Sequence, residues 1–156
     1  MSTPMGFAVL RRRALARAPI ALYRLGLGVL FGSRMLLLEH VGRTSGAPRY
    51  AVLEVTDRPG PGRYVVVSGF GERAQWFRNV VAEPRVRVSV GRRRAVPATA
   101  HRLPQDRAAA LFADYPRRHP RAWARLEPTI RAACGLDAAE PLAPHVPVVE
   151  LVLDEP

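Results

Sequence analysis

Two glycine-bracketed segments combine residue types that could hold a charged ligand. In Gly42-Arg43-Thr44-Ser45-Gly46, followed by Ala47, Pro48 and Arg49, two hydroxyls and two guanidinium groups crowd around a turn. Backbone N–H groups in such a turn can converge on one anion, and an arginine fork matches carboxylate or phosphate oxygens two at a time. The spacing is not that of a P-loop, which closes on Gly-Lys, and an ordinary hairpin turn would use the same glycines. The second segment, Gly69-Phe70-Gly71-Glu72-Arg73-Ala74, fits G-x-G-x-x-A between an apolar run and a helical pattern. That is the setting of a dinucleotide-binding turn, and Arg92-Arg93-Arg94 after the next strand would suit a 2′-phosphate. Against this reading, the flanking elements pattern as hairpins, and a helix over residues 74–82 is too short to cover a parallel strand pair.

Other chemistries find little support. His40, His101, His119 and His145 lack metal-ligand spacing, so no metal site is expected. There is no G-x-S-x-G elbow for a serine hydrolase. All 24 basic residues are arginine, which excludes a lysine nucleophile or Schiff base in this chain. Cys134 stands alone, so neither an intrachain disulfide nor a thiolate metal site can form, and the cytoplasm is the expected compartment. In Gln75-Trp76-Phe77-Arg78-Asn79, Trp76 and Phe77 cannot share a helix face, so at least one belongs to the core.

The formal charge is +11, and five acids with no arginine in residues 136–156 leave the basic excess on the first 135 residues. An arginine surface suits a phosphorylated or polycarboxylate partner. A nucleic-acid partner is not expected: the arginines alternate with buried valines, and no recognition helix or stacking-aromatic signature accompanies them.

The elements that must position these residues fit one domain of 156 residues. Residues 1–33 read as an N-terminal helical region, in which Arg11, Arg12 and Arg13 precede an apolar stretch interrupted by Arg24. It is too short to span a bilayer; packing on the barrel is favoured over lying on a membrane surface. Strands are expected at residues 35–41, 49–56, 63–68, 86–90, 92–103 and 145–153, with Arg58-Pro59-Gly60-Pro61-Gly62 as a hairpin turn. Helices are expected at 74–82, from Pro104 in a first turn to Tyr115, and at 120–134. Barrel strands thus occupy residues 34–103, helices 104–135, and the closing strand 145–153. Six hairpin-connected strands with peripheral helices predict a mainly β protein, a six-stranded antiparallel barrel. Its exposed strand edges favour a homodimer.

Taken in order, residues 36–41, the Gly42–Arg49 turn, Tyr64-Val65-Val66-Val67-Ser68-Gly69-Phe70-Gly71, Gln75–Asn79 and Glu83-Pro84-Arg85-Val86-Arg87-Val88 resemble the deazaflavin-dependent nitroreductase family. The resemblance covers roughly residues 30–103 and implies a flavin-reductase-like split β-barrel. It implies that Gly42, Arg43, Thr44, Ser45, Gly46, Pro48 and Arg49 hold the phosphate and oligoglutamate tail of F420. Ser68, Gly69, Phe70 and Gly71 would line the deazaflavin ring, with Trp76 and Asn79 as buttresses. Thr44 stands where the family often carries lysine or arginine, so that tail contact is either missing or supplied by another arginine. Tyr115 and Trp123 would shape the pocket of a small-molecule acceptor: a quinone, nitroarene or activated alkene. The implied reaction is hydride transfer from the reduced coenzyme, with the product's proton coming from Tyr115, Ser68 or water. The coenzyme supplies that chemistry, and the protein supplies orientation. FMN or NADPH in a related split barrel is the alternative.

Overall fold

The computed structural model describes residue 20 and residues 32–154. The N-terminal helical region, and with it the choice between membrane surface and barrel, lies outside the described residues apart from positions 20, 32 and 33. Among the described residues no helix is long and apolar enough to cross a membrane. The chain forms β1 (Met35–Val41), β2 (Pro48–Glu54), β3 (Asp57–Gly60), β4 (Arg63–Val67), α1 (Gln75–Ala82), β5 (Arg85–Val90), β6 (Arg93–Arg102), α2 (Gln105–Arg118), α3 (Pro120–Cys134) and β7 (Val148–Leu153). All strands join one antiparallel sheet in the order β2-β1-β5-β6-β7-β4-β3, curled into a half-barrel.

The described sheet has seven strands where the sequence pattern predicts six, and the reason is local. Asp57–Gly60, expected as part of a hairpin turn, continues pairing: Asp57 lies opposite Val65 and Gly60 opposite Arg63. Pro59 is accommodated because β3 is an edge strand, where a missing N–H costs no ladder bond. The true turn is Pro61–Gly62, with Gly62 at φ 67°. β2 and β3 are two halves of one bent strand. At the bend the Val55 N–H donates to the Arg34 carbonyl on the β1 side, and the Thr56 N–H donates to the Val65 carbonyl of β4, both at 2.8 Å. That bend brings the two ends of the sheet together.

The barrel core follows from alternation. Val86, Val88 and Val90 are buried while Arg85 and Arg87 are exposed, as the valine–arginine repeat predicts. They pack with Leu36, Leu38, Val66 and Leu151, and Phe77 of α1 closes the layer. The opposite faces of β4 and β7 bury Val65 and Val148 against Ala108 and Leu111, which seats α2. Ile130 of α3 packs on Leu142 and Val146.

Several element ends shift by one or more residues from expectation, and three have a local cause in proline. Pro104 is the cap of α2 rather than its first turn, its carbonyl accepting from the Ala108 N–H at 3.0 Å. The helix runs past Tyr115 to Arg118, tolerating Pro116 because only its last turn loses a hydrogen bond. β7 begins at Val148 rather than at residue 145, since Pro147 has no N–H for the ladder.

Candidate active site

The Gly42–Arg49 turn is tightly wound. The Gly42 N–H donates to the Ala47 carbonyl at 2.8 Å, and the Gly46 N–H returns to the Gly42 carbonyl at 2.7 Å. A Cβ at Gly42 would lie 2.7 Å from Ser45 Oγ and 3.5 Å from Arg49 Nε, so glycine is what lets Ser45 and Arg49 fold over the turn. Helix α1 faces it. Gln75 and Asn79, one turn apart, both reach Arg43: the Asn79 Oδ1 accepts from the Arg43 backbone N–H at 3.1 Å and from Nη1 at 2.8 Å, while Gln75 Oε1 accepts from Nη2 at 2.9 Å.

Those two bonds fix the orientation of the Asn79 amide. Its oxygen is turned to Arg43, so its NH2 group points to His40 Nδ1, 3.1 Å away. Nδ1 must then accept, which makes His40 a neutral imidazole with its proton on Nε2. Burial lowers the His40 pKa to about 4, helped by the positive charge of Arg49. A buried chain from His40 through Asn79 thus holds the Arg43 guanidinium in place.

Beside this chain lies a groove of about 1080 Å³. Gly42, Arg43, Thr44, Ser45, Arg49, Trp76 and Asn79 line it together with Arg73, Tyr50 and Phe70. Among the described residues, three arginines and no carboxylate line its wall. Gly46 and Pro48 instead face a second groove on the far side of the turn, with Arg85, Arg87 and Asp154.

The Ser68–Gly71 loop closes on itself. The Ser68 hydroxyl donates to the Gly71 carbonyl at 2.7 Å, and the Gly71 N–H donates to the Ser68 carbonyl at 2.9 Å. Gly71 sits at φ 72°, and a Cβ there would meet Cys134 Sγ at 3.2 Å. This turn pushes Phe70 outward, 70% exposed, while Ser68 is fully buried. Ser68 lines neither cavity, and its hydroxyl proton is committed to the Gly71 carbonyl within the loop. Nor does the Gly69–Ala74 segment belong to a dinucleotide crossover, because every strand pair in the described sheet is antiparallel and a 3₁₀ turn (Gly71–Arg73) precedes α1.

On the other side of Phe70 lies an apolar cleft of about 150 Å³ between the β2–β3 bend and helices α2 and α3. Tyr115 and Trp123 line it, joined by Phe112, Leu126, Gly69 and Glu54. The rings brace one another, with centroids 6.0 Å apart for Tyr115–Trp123 and 6.2 Å for Phe112–Trp123. Burial raises the Tyr115 pKa, the Glu54 charge adds to it, and Arg34 and Arg118 oppose it. The phenol therefore stays protonated at neutral pH and can donate a hydrogen bond.

The structure gathers Gly42, Arg43, Thr44, Ser45, Arg49, Trp76 and Asn79 on the groove and Gly69, Tyr115 and Trp123 on the cleft, with Phe70 on both. Gly71 lines a small recess beside Cys134 and shares it with Phe70 and Arg73. Residues missed from sequence are His40, Tyr50, Arg73 and Gln75 of the groove and Glu54 and Phe112 of the cleft. His40 was legible in part, since alternation puts it on the inward face with Leu36 and Leu38.

An antiparallel half-barrel of this kind recurs in solved structures. A structure described as an F420-H2 dependent reductase is 22% identical, matches 76% of this chain and 93% of its own, and gives a TM-score of 0.52. The protein Atu2129 of unknown function from Agrobacterium tumefaciens is 20% identical over 88% of this chain and 56% of its own, at 0.55. A putative pyridoxamine 5'-phosphate oxidase from Listeria innocua is 14% identical over 86% and 94%, at 0.53. These likenesses establish the fold and leave the coenzyme open. No curated protein matches in sequence. The sequence model described as F420H(2)-dependent quinone reductase settles the family: it matches residues 21–129, well over half of the chain, and the chain belongs to that family. It is a deazaflavin-dependent reductase whose coenzyme is reduced F420. The groove fits that coenzyme, since phosphate and carboxylates call for the arginine donors that form its wall.

Proposed function

We propose that the protein reduces a small, flat, electron-poor acceptor of the quinone type held in the apolar cleft, while the coenzyme's anionic tail lies in the arginine groove. One observation carries this reading: Phe70 and Ala133 line both cavities, so a ring entering from the groove meets an acceptor entering from the cleft at their shared edge. When bound, reduced F420 supplies a hydride. The protein's own part is to bind, orient and donate a proton. Arg43, fixed by Asn79 and Gln75, and Arg49, lying over Gly42, hold phosphate or carboxylate oxygens. Arg73 takes the tail contact that Thr44 cannot make.

The cleft can seat one ring of a flat acceptor, because an apolar cavity of about this size can accommodate benzene, and a fused second ring would lie toward the open edge at Phe70. Tyr115 presents a protonated hydroxyl to the acceptor's oxygen, where the negative charge left by hydride addition must be neutralised.

Fluorescence titrations with F420, FMN and NADPH side by side, followed by turnover of a quinone, a nitroarene and an activated alkene, test the reading. Tightest binding of F420 and fastest turnover of the quinone are expected. Faster turnover of the nitroarene or alkene would replace the acceptor class.

A further inference from the structure

Charge divides the two cavities. Among the described residues, Arg43, Arg49 and Arg73 line the groove and no carboxylate does, whereas Glu54 lines the cleft and no arginine does. The place of Glu54 follows from strand alternation. Leu53 and Val55 turn into the barrel core, so Glu54 and Thr56 face the opposite side, under α2 and α3. The Thr56 hydroxyl is committed to the Val65 carbonyl at 2.9 Å. Glu54 takes part in no ion pair among the described residues. The two arginines that act on Tyr115 from nearby do not line the cleft, and Arg118 is held by Asp114 at 2.6 Å and Asp57 at 3.3 Å. A half-buried carboxylate among Leu111, Phe112, Trp123 and Leu126 loses part of its hydration and, among the described residues, forms no ion pair in return. Packing alone would favour an apolar side chain there.

We propose that Glu54 is the specificity-determining residue of the cleft: its negative charge admits neutral or cationic acceptors, turns away anionic ones, and keeps the polyanionic tail of the coenzyme on the arginine side. The inference rests on the reading that acceptors bind in this cleft. Its physics is Coulombic. Where water is partly excluded, like charges a few ångströms apart repel far more than in bulk solvent. The same repulsion gives the site a direction, because a ligand with one apolar ring and one anionic tail can enter in only one orientation.

The test reads binding before it reads turnover. The chain has two tryptophans, so in a Trp76→Phe background Trp123, inside the cleft, is the only reporter. Quenching of Trp123 in the coenzyme-free protein is titrated with 1,4-naphthoquinone and with its 2-sulfonate. The neutral quinone should bind about tenfold more tightly, a difference of ~1.4 kcal/mol. Glu54→Gln, which keeps the shape and removes the charge, should bring the ratio near one by strengthening the sulfonate. Glu54→Asp should retain the preference. A ratio untouched by Glu54→Gln, or equal gains for both quinones, overturns the proposal.

The same pair is then assayed for kcat/KM with reduced F420. Charge-dependent quenching without turnover would sink the acceptor reading and leave the role of Glu54 as a charge filter standing. Turnover indifferent to the charge at residue 54 would do the reverse. If neither quinone quenches Trp123, both fall.

Discussion

The groove and the cleft share an edge at Phe70, yet their walls are held by different forces. In the groove, Arg43 is fixed before any ligand arrives, by three hydrogen bonds to Asn79 and Gln75 that continue to a buried neutral imidazole. In the cleft, Phe112 and Tyr115 of α2 and Trp123 of α3 are fixed by ring contacts between the two helices. Directional bonds suit a ligand whose charges must be met at set positions. Nondirectional packing suits one recognised by shape, and it tolerates variety. The difference teaches that the groove should be sensitive to pH and salt, and the cleft to side-chain volume everywhere but at Glu54.

The largest expected effect tests the buried end of the groove's hydrogen-bond chain. An unfolded histidine titrates near 6.5, while folded His40 titrates at about 4. Between these values the unfolded chain holds a proton that the folded chain refuses, so stability must fall as pH drops from 6.5 to 4. The contribution is fully present above pH 6.5, and its loss amounts to about 3 kcal/mol. Urea midpoints measured at pH 7 and pH 4.5 for the parent and for His40→Gln check this. Glutamine can still accept from Asn79 but cannot titrate. The variant should lose clearly less stability than the parent over that interval; equal losses would mean that His40 is not the buried neutral link.

Next in size is Arg43 itself. A hydrogen bond to a charged group contributes about 1.5–3 kcal/mol, so Arg43→Ala should weaken F420 binding roughly tenfold to a hundredfold. Lysine should recover only part of this, since Asn79 and Gln75 are placed to hold a fork. The deficit should shrink as salt rises. Acceptor KM should stay near the parent value, because Arg43 does not line the cleft. Parent-like F420 affinity in Arg43→Ala at low salt would dissolve the distinction between the two regions.

How much of this could be seen in the sequence depended on whether the signal was local. Valine–arginine alternation over Val86–Val90 is local and points to the buried face that the strand shows; the glycine brackets around Arg43 are local too, and their turn lines the groove. The seventh strand was hidden because Asp57-Arg58-Pro59-Gly60 has turn composition and pairs only because the barrel must close there. Ser68 stood beside a ligand-like glycine pair, but the hydroxyl points inward to Gly71, a direction that spacing cannot reveal. Arg73 was invisible as a groove residue because a 3₁₀ turn without a residue signature carries it there. Alternation puts Glu54 on the face opposite Leu53 and Val55, but that α2 and α3 cover this face is not written in the strand.

The smallest expected effect concerns Thr44, where the resembling family often carries a base. Thr44 lies on the groove wall and is exposed. A new arginine there would gain an ion pair in well-hydrated surroundings, worth about 0.2–1 kcal/mol. Thr44→Arg should therefore tighten F420 binding only about one-and-a-half- to fivefold, with most of the gain lost at high salt. Arg73 gives the control, since it shares the groove and is the guanidinium proposed to fill the same need. In an Arg73→Ala background the gain from Thr44→Arg should grow, because two groups competing for one set of ligand oxygens are not additive. Gains that are equal in the two backgrounds would show that the arginines meet different oxygens, and that Arg73 does not stand in for the missing base.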